Sequence, residues 1–159
     1  MNSASQEKVN IDDFSQSNSR DFLTIKIANQ IFGIPVLQVQ DVLGTQNITK
    51  IPLAPAEVAG SLNLRGRIVT AINVRCSLGI EANEDTKQEM SVVVEHEDQL
   101  YSLIIDEVGD VLALESDDFE NTPATLDPIW RNVASGIFQL KGELLVILDI
   151  AKLIDTVSK

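Results

Sequence analysis

The chain has 159 residues, and its 24 acidic against 12 basic side chains give a formal net charge of −12. This balance argues against unaided binding to nucleic acid or to an anionic membrane, which needs clustered lysine and arginine, and the single cysteine excludes an internal disulfide. The length suits one domain with a sizeable core, and the absence of a membrane-spanning run or a secretion leader predicts a cytoplasmic protein.

The first 20 residues are rich in serine, asparagine, glutamine and aspartate, a composition that buries too little apolar surface to order a chain. We expect a flexible arm there, followed by one folded domain over residues 21–159. From Phe22 the sequence alternates apolar and polar residues, which predicts a half-buried strand. The expected order up to residue 60 is a hairpin over 22–35, a short turn leading into a strand over 36–44, and a loop over 45–60.

The rest of the chain continues this pattern of short strands and tight turns. Apolar runs flank Arg65-Gly66, Glu97-Asp98 and Lys141-Gly142, and glycine permits the positive φ of a two-residue hairpin turn. We expect a solvated linker over 81–89, a strand over 106–114, an acidic loop over 115–132 and, from the spacing of its apolar residues, a single helix over 150–157.

An internal repeat relates the two halves of the chain. The first parts of the halves match at an offset of 69 positions and the later parts at an offset of 76, so the second half has an insertion within residues 113–135. The matches that go beyond apolar character are Gln30 with Gln99, Asp41 with Asp110, Gly60 with Gly136, and Arg65-Gly66 with Lys141-Gly142. A duplication explains them, and two unrelated meanders with a shared hairpin pattern are the alternative.

Two similar halves, each with about five short strands, predict an all-β fold of two small barrels, because closing a sheet removes its exposed edges. The lobes would span roughly residues 21–80 and 90–150, each built partly by exchange with the other. Apolar runs such as 144–148 need cover on both faces. We therefore expect a hydrophobic core shared between the lobes and a short C-terminal helix.

The sequence contains no motif for catalysis. It has one histidine and one cysteine, whereas acid–base and nucleophilic chemistry relies mostly on these residues or on paired carboxylates. A phosphate loop, a nucleophile elbow, a zinc helix and a CxxC pair are all missing. We expect a protein that is not an enzyme and that has no cofactor and no metal, since the lone His96 does not make a metal site.

Residues 60–79, GSLNLRGRIVTAINVRCSLG, resemble a motif of the CheW family of bacterial chemotaxis coupling proteins, NLRGxIxPVIDLRxxLG. The resemblance extends over residues 21 to about 156, with IFGIPVLQVQDVL before the motif and GELLVILDIAKLI after it. Two positions depart from the family pattern, Thr70 where proline is usual and Asn73 where aspartate is usual. We expect these departures to alter packing or interface detail and not the fold.

The resemblance implies two SH3-like, five-stranded β-barrels packed about a hydrophobic core. It also implies a non-enzymatic adaptor that joins the cytoplasmic tips of methyl-accepting chemotaxis receptors to the regulatory domain of the histidine kinase CheA, within membrane-associated receptor arrays. That kinase domain is related to CheW, so the two can pack pseudo-symmetrically. Neither nucleic acid nor direct membrane insertion is expected.

Candidate binding residues follow from the same resemblance. Arg65 matches a position in the receptor-binding groove, and Asp41 matches an acidic position that orients it. An arginine at a turn can pair locally or present its donors to a carboxylate of a partner, and Asn63 can cap the turn or bond a receptor helix. Val39 and Gly60 match positions near an interface in the family, and for them core packing or turn geometry explains the residue type as well as contact with a partner does. The full set of receptor-binding or kinase-binding candidates is Val39, Asp41, Gly60, Asn63, Arg65 and Gly66.

Three other functions are alternatives to this adaptor, and the sequence argues against two of them. A CheW-like coupling protein could serve a parallel pathway that governs pili or another output. A small-ligand-binding β-barrel would need convergent polar groups in a cleft, whereas the strands offer mainly valine, isoleucine and leucine. An oligonucleotide-binding barrel would need basic residues interleaved with aromatic ones, and only 4% of the residues are aromatic.

Overall fold

The structure is a computed structural model that describes residues 19–81 and 89–157. Most of the predicted arm and of the predicted linker lies outside the described residues, and the first strand begins at Ser19, ahead of the predicted start at Phe22. The strands are β1 (Ser19–Ile27), β2 (Gln30–Pro35), β3 (Val39–Leu43), β4 (Val58–Leu64), β5 (Arg67–Asn73), β6 (Met90–His96), β7 (Gln99–Ile105), β8 (Glu107–Glu115), β9 (Phe119–Glu120), β10 (Ala134–Leu140) and β11 (Glu143–Leu148). The helices are α1 (Val74–Ser77), α2 (Pro128–Val133) and α3 (Ile150–Val157), and 3₁₀ turns occupy Val36–Gln38 and Ser116–Asp118.

The strands form two sheets, and each sheet takes strands from both halves of the chain. One sheet has the order β3-β6-β7-β5-β4 and the other the order β8-β1-β2-β11-β10-β9. The hairpin β1–β2 therefore belongs with β8, β10 and β11, whereas the hairpin β6–β7 lies between β3 and β5. A parallel pair, β5 with β7 or β2 with β11, joins each of these hairpins to its sheet. The predicted all-β, two-lobed fold is confirmed.

The registers of the two sheets are related by the offsets of the sequence repeat. A slip of one residue would turn every side chain of a strand to the opposite face, so agreement in register tests the repeat stringently. Corresponding pairs are Val39 with Val94 and Val108 with Ile25, Val58 with Ile72 and Ala134 with Leu148, and Thr70 with Tyr101 and Val146 with Phe32. Residue-for-residue agreement of this kind supports a duplication.

The largest cluster of buried apolar side chains draws on both sheets. Ile25 and Ile34 enter it from the six-stranded sheet, Val94 and Leu103 from the five-stranded sheet, and Leu153 from α3. Burial of one such side chain stabilises a fold by about 1.5–3 kcal/mol, so this cluster holds the lobes together. The predicted shared core is confirmed. Smaller clusters lie within the lobes: Leu62, Val69, Ala71, Val93, Leu100 and Ile104 in one, and Phe22, Phe138, Leu145 and Ile147 in the other.

Each lobe closes where a crossing segment passes over one strand at a glycine. Thr49 exchanges two backbone hydrogen bonds of 2.8 Å with Ser61 on β4, and β9 pairs with β10 in the same way at the equivalent place. A Cβ atom at Gly60 would collide with the Thr49 carbonyl, and one at Gly136 would collide with the carbonyl of Glu120. The two glycines therefore match in the repeat because both lobes close by the same backbone contact.

Two of the helices are not among the predicted elements. The helix α1 has four residues, and α2 together with β9 occupies part of the predicted acidic loop over 115–132, so that prediction is wrong there. Asp127 accepts a hydrogen bond of 2.8 Å from the Ile129 N–H at the start of α2, and Pro128 occupies the first turn, which together form a helix-start signal. The predicted C-terminal helix is confirmed as α3. Within the described segments, none of the helices is long and apolar enough to cross a membrane.

Candidate functional site

The turn between β4 and β5 presents Arg65 at its tip. Arg65 and Gly66 have φ angles of 52° and 84°, which are typical of the type I′ turn that joins twisted strands. The Asn63 Oδ1 atom accepts a hydrogen bond of 3.0 Å from the Gly66 N–H, so Asn63 caps the turn, one of its two predicted roles. The Arg65 side chain is 74% exposed, and its guanidinium therefore reaches solvent from a firmly bonded turn.

Asp41 on β3 orients this guanidinium. The Nη2 atom of Arg65 lies 2.7 Å from Oδ2 of Asp41, while Oδ1 of Asp41 accepts a hydrogen bond of 2.8 Å from the Val42 N–H. β3 and β4 are the two edges of the five-stranded sheet, and the ion pair links β3 to the turn that follows β4. An exposed ion pair contributes about 1 kcal/mol at most, so its main effect is to orient Arg65.

Two of the predicted site residues lie away from this tip. Val39 begins β3, is half-buried and packs against the shared core. Gly60 is buried at the closure of the lobe, under the backbone of Thr49. The structure therefore brings together Asp41, Asn63, Arg65 and Gly66, and it gives Val39 and Gly60 places in the scaffold beneath them.

An exposed apolar side chain lies next to these residues. Ile68 is opposite Asn63 in the β4–β5 ladder and is 69% exposed. Val42 is 37% exposed, but it is consecutive with Asp41 in β3 and faces the opposite way. Neither Ile68 nor Val42 is among the predicted site residues. A signal for Ile68 is present in the sequence, because Ile68 and Val69 are consecutive in a strand and face opposite ways, so that only one of them can point into the lobe. We name Asp41, Asn63, Arg65, Gly66 and Ile68 the Arg65 surface. Its oriented donors and the exposed apolar side chain of Ile68 suit a carboxylate set in an apolar protein surface.

A family model described as the CheW-like domain matches residues 21–158. The chain belongs to the CheW-like family. It is 25% identical to the chemotaxis protein CheW of Rhizobium meliloti, over 84% of this chain and 86% of that protein, and 29% identical to protein PilI of Pseudomonas aeruginosa, over 76% and 68%. The crystal structure of the scaffolding protein TtCheW from Thermoanaerobacter tengcongensis matches with a TM-score of 0.74 at 27% identity, over 81% of this chain and 88% of that one.

This CheW-like domain departs from the motif at Thr70 and Asn73, and the structure shows what surrounds each of them. Asn73 ends β5, and its side chain accepts a hydrogen bond of 3.3 Å from the Cys76 N–H at the start of α1. Asparagine and aspartate cap helices about equally well, so the substitution keeps this role. Thr70 lies within β5, between Ser61 of β4 and Tyr101 of β7.

The CheW-like domain contains a second ion pair, between Arg75 and Asp106, that the sequence does not indicate. Nε and Nη2 of Arg75 donate to the two carboxylate oxygens of Asp106 over 2.9 and 2.6 Å, and Nη1 donates to the Glu81 carbonyl over 2.7 Å. The Ala28 N–H donates to the same carboxylate over 2.9 Å. The hydrogen bond from Arg75 is the main cause that lowers the pKa of Asp106.

The side chains of Cys76 and His96 have surroundings that do not point to a reactive or metal-binding site. Burial raises the pKa of the Cys76 thiol, which disfavours the reactive thiolate. Nε2 of His96 lies 3.8 Å from Glu97 and 3.7 Å from Asp155. Over residues 19–81 and 89–157 no group of three or more histidine, cysteine, aspartate or glutamate side chains is placed to hold a metal ion.

Proposed function

We propose that this CheW-like domain is a non-enzymatic adaptor that joins the cytoplasmic tips of methyl-accepting chemotaxis receptors to the regulatory domain of the histidine kinase CheA. The observation that supports it most directly is Arg65, which is 74% exposed yet oriented by Asp41 at 2.7 Å. Such a group binds a partner at a small entropic cost, because its geometry exists before the partner arrives. The relatives described as chemotaxis and scaffolding proteins also support this function.

The proposed receptor-binding or kinase-binding residues divide into two kinds. Asp41, Asn63, Arg65 and Gly66 contact the partner or shape the turn that contacts it. Val39 and Gly60 act through the scaffold, since one packs on the shared core and the other closes the lobe. In this proposal the protein works in the cytoplasm, recruited to receptor arrays at the membrane through protein contacts alone.

A parallel signalling pathway is the second candidate, because the chain is also similar to protein PilI. The adaptor would then join a different receptor and kinase through the same surfaces, and its output would be pili or another response. Because the Arg65 surface would be used in either case, a substitution in it does not distinguish the two functions. Binding assays of the parent protein with both sets of partners do.

The test of the proposed function is co-sedimentation with purified CheA and receptor tips, together with measurement of kinase activity. We expect Arg65→Ala to leave the melting temperature nearly unchanged and to weaken receptor coupling about tenfold, which corresponds to the loss of roughly 1.4 kcal/mol at an arginine contact. Arg131→Ala is the matched control, because it removes the same charge from an exposed site on α2. Unchanged coupling in Arg65→Ala would refute the role of Arg65, and no binding by the parent protein to cognate partners would refute the adaptor function.

A further inference from the structure

The Arg75–Asp106 ion pair lies where the chain passes from one sheet to the other. Asp106 is the one residue between β7 of the five-stranded sheet and β8 of the six-stranded sheet. Its carboxylate binds Arg75 of α1, which follows β5, and also the N–H of Ala28, in the turn of the β1–β2 hairpin. One carboxylate thus connects elements of both sheets.

The directional character of this contact sets it apart from the shared core. Apolar burial holds two surfaces together but has no preferred direction, and elements packed in this way can slide in shear motions. The planar guanidinium instead makes two bonds to one carboxylate and a third to the Glu81 carbonyl, so it restricts the angle as well as the distance. The side chains of Arg75 and Asp106 are only 15% and 18% exposed, which limits screening by salt.

The internal repeat has no counterpart of this ion pair. The offsets of 69 and 76 positions place Leu37 where Asp106 would be and Ala151 where Arg75 would be. Neither residue has a charge, and Leu37 is 73% exposed. The ion pair is therefore present on one side of the two-lobed arrangement and absent from the equivalent place on the other.

We propose that the Arg75–Asp106 pair is a one-sided clamp that sets the angle between the two sheets, and that its opening lets the sheets rotate about the shared apolar core. The lowered pKa of Asp106 agrees with a carboxylate that stays charged in the closed clamp. The consequence for signalling rests on the proposed adaptor function: partner surfaces on different lobes keep their relative orientation only while the clamp is closed.

Distance measurement between spin labels on the two sheets tests the clamp in the free protein. Labels are attached to Arg67→Cys, on the exposed end of β5, and to Lys141→Cys, in the exposed β10–β11 turn, in a chain with Cys76→Ala. We expect Arg75→Gln to broaden the distance distribution or to shift its mean. Arg75→Lys keeps the charge but loses the two-pronged geometry, so it should give a smaller change in the same direction.

Asp41→Asn is the matched control, because it removes the other ion pair, which lies within one lobe, and should leave the distance unchanged. If Arg75→Gln does not fold, Asp106→Asn tests the same contact with a side chain of similar shape. An unchanged distribution in both folded variants would overturn the clamp, even if their melting temperatures fall. Because the measurement needs no partner, its outcome is independent of whether the adaptor function is correct.

Discussion

At the scale of single residues, Gly60 is constrained by the backbone that crosses over it. Its φ of +149° is rare for residues with a side chain, and an added Cβ would collide with the Thr49 carbonyl. We expect Gly60→Ala to lower the free energy of unfolding by about 1–3 kcal/mol, read from urea denaturation. Gly44→Ala is the control, since its Cβ would meet nothing within 4 Å. Equal stability of the two variants would contradict this account of lobe closure.

Glu89, beside the Arg75–Asp106 clamp, should destabilise the fold at neutral pH. Burial and then the charge of Asp106 raise the pKa of its carboxyl, while Arg75 lowers it to a smaller degree. A group whose pKa is higher in the folded chain binds protons more tightly there, so its charged form weakens the fold above that pKa. We expect Glu89→Gln to increase the unfolding free energy at pH 7, by less than about 1 kcal/mol at this partly exposed site, with the gain shrinking toward pH 4.

Asp106 has the opposite sign and provides the control for that titration. Its pKa is lowered, so its contribution to stability is present above the unfolded value near 3.9 and is lost as the pH falls through the folded value. In urea denaturation at several pH values, Asp106→Asn should therefore be less stable than the parent at pH 7 and approach it in acid. If Glu89→Gln also loses stability at pH 7, the carboxylate of Glu89 contributes favourably and its assignment here is wrong.

The two ion pairs differ in how far the sequence predicts them: the Arg65–Asp41 pair was predictable and the Arg75–Asp106 pair was not. Arg65 stands beside a turn glycine in a recognisable motif, and Asp41 matches a position of the same family pattern. Arg75 and Asp106 are 31 residues apart and lie on a short helix and a strand junction, with no local pattern that relates them. Their contact depends on the exchange of hairpins between the sheets, which only the assembled topology reveals.

At the scale of elements, strands and hairpin turns are predictable because their signals are local. Alternation of apolar residues over seven or so positions determines a strand face, and a turn residue pair such as Arg65-Gly66 determines where the strand reverses. Helix α1 has too few residues for periodicity to register. Helix α2 has an Asp-Pro start signal, but it follows a proline-containing acidic stretch whose composition favours loop.

Trp130 shows what the unpredicted helix α2 adds to the fold. Its indole N–H donates a hydrogen bond of 3.0 Å to the Leu78 carbonyl just after α1, and its ring centroid lies 5.2 Å from that of Phe32 on β2. Leu78 follows β5 and α1, on the side of the five-stranded sheet, whereas Phe32 belongs to the six-stranded sheet. Helix α2, which lies within the segment that contains the insertion, thus helps to join the lobes.

At the scale of the whole molecule, the sequence predicts the internal repeat fully but predicts only in part that the two halves exchange hairpins between their sheets. The two offsets relate residues that share a role, such as the closure glycines Gly60 and Gly136, and the pairing registers reproduce them. Sequence similarity between halves does not determine whether each hairpin stays with its own half. Exchange is favourable because a hairpin placed between strands of the other half has a hydrogen-bonded neighbour at each of its two edges.

The shared core predicts that the two lobes unfold together. Ile34 on β2 and Leu103 on β7 are related by the offset of 69, lie on different sheets, and are both fully buried in the core that joins them. We expect Ile34→Ala and Leu103→Ala each to lower the unfolding free energy by about 2–5 kcal/mol while the chain keeps one transition, because neither sheet retains a covered inner face once the other has unfolded. Circular dichroism reports the unfolding of the strands. The fluorescence of Trp130, the sole tryptophan, reports the junction between the lobes. Coincident unfolding midpoints from the two probes, in both variants, would confirm one cooperative unit. Two separate transitions, with each substitution shifting only the transition of its own sheet, would show instead that the lobes fold independently and that the shared core is a contact between finished barrels.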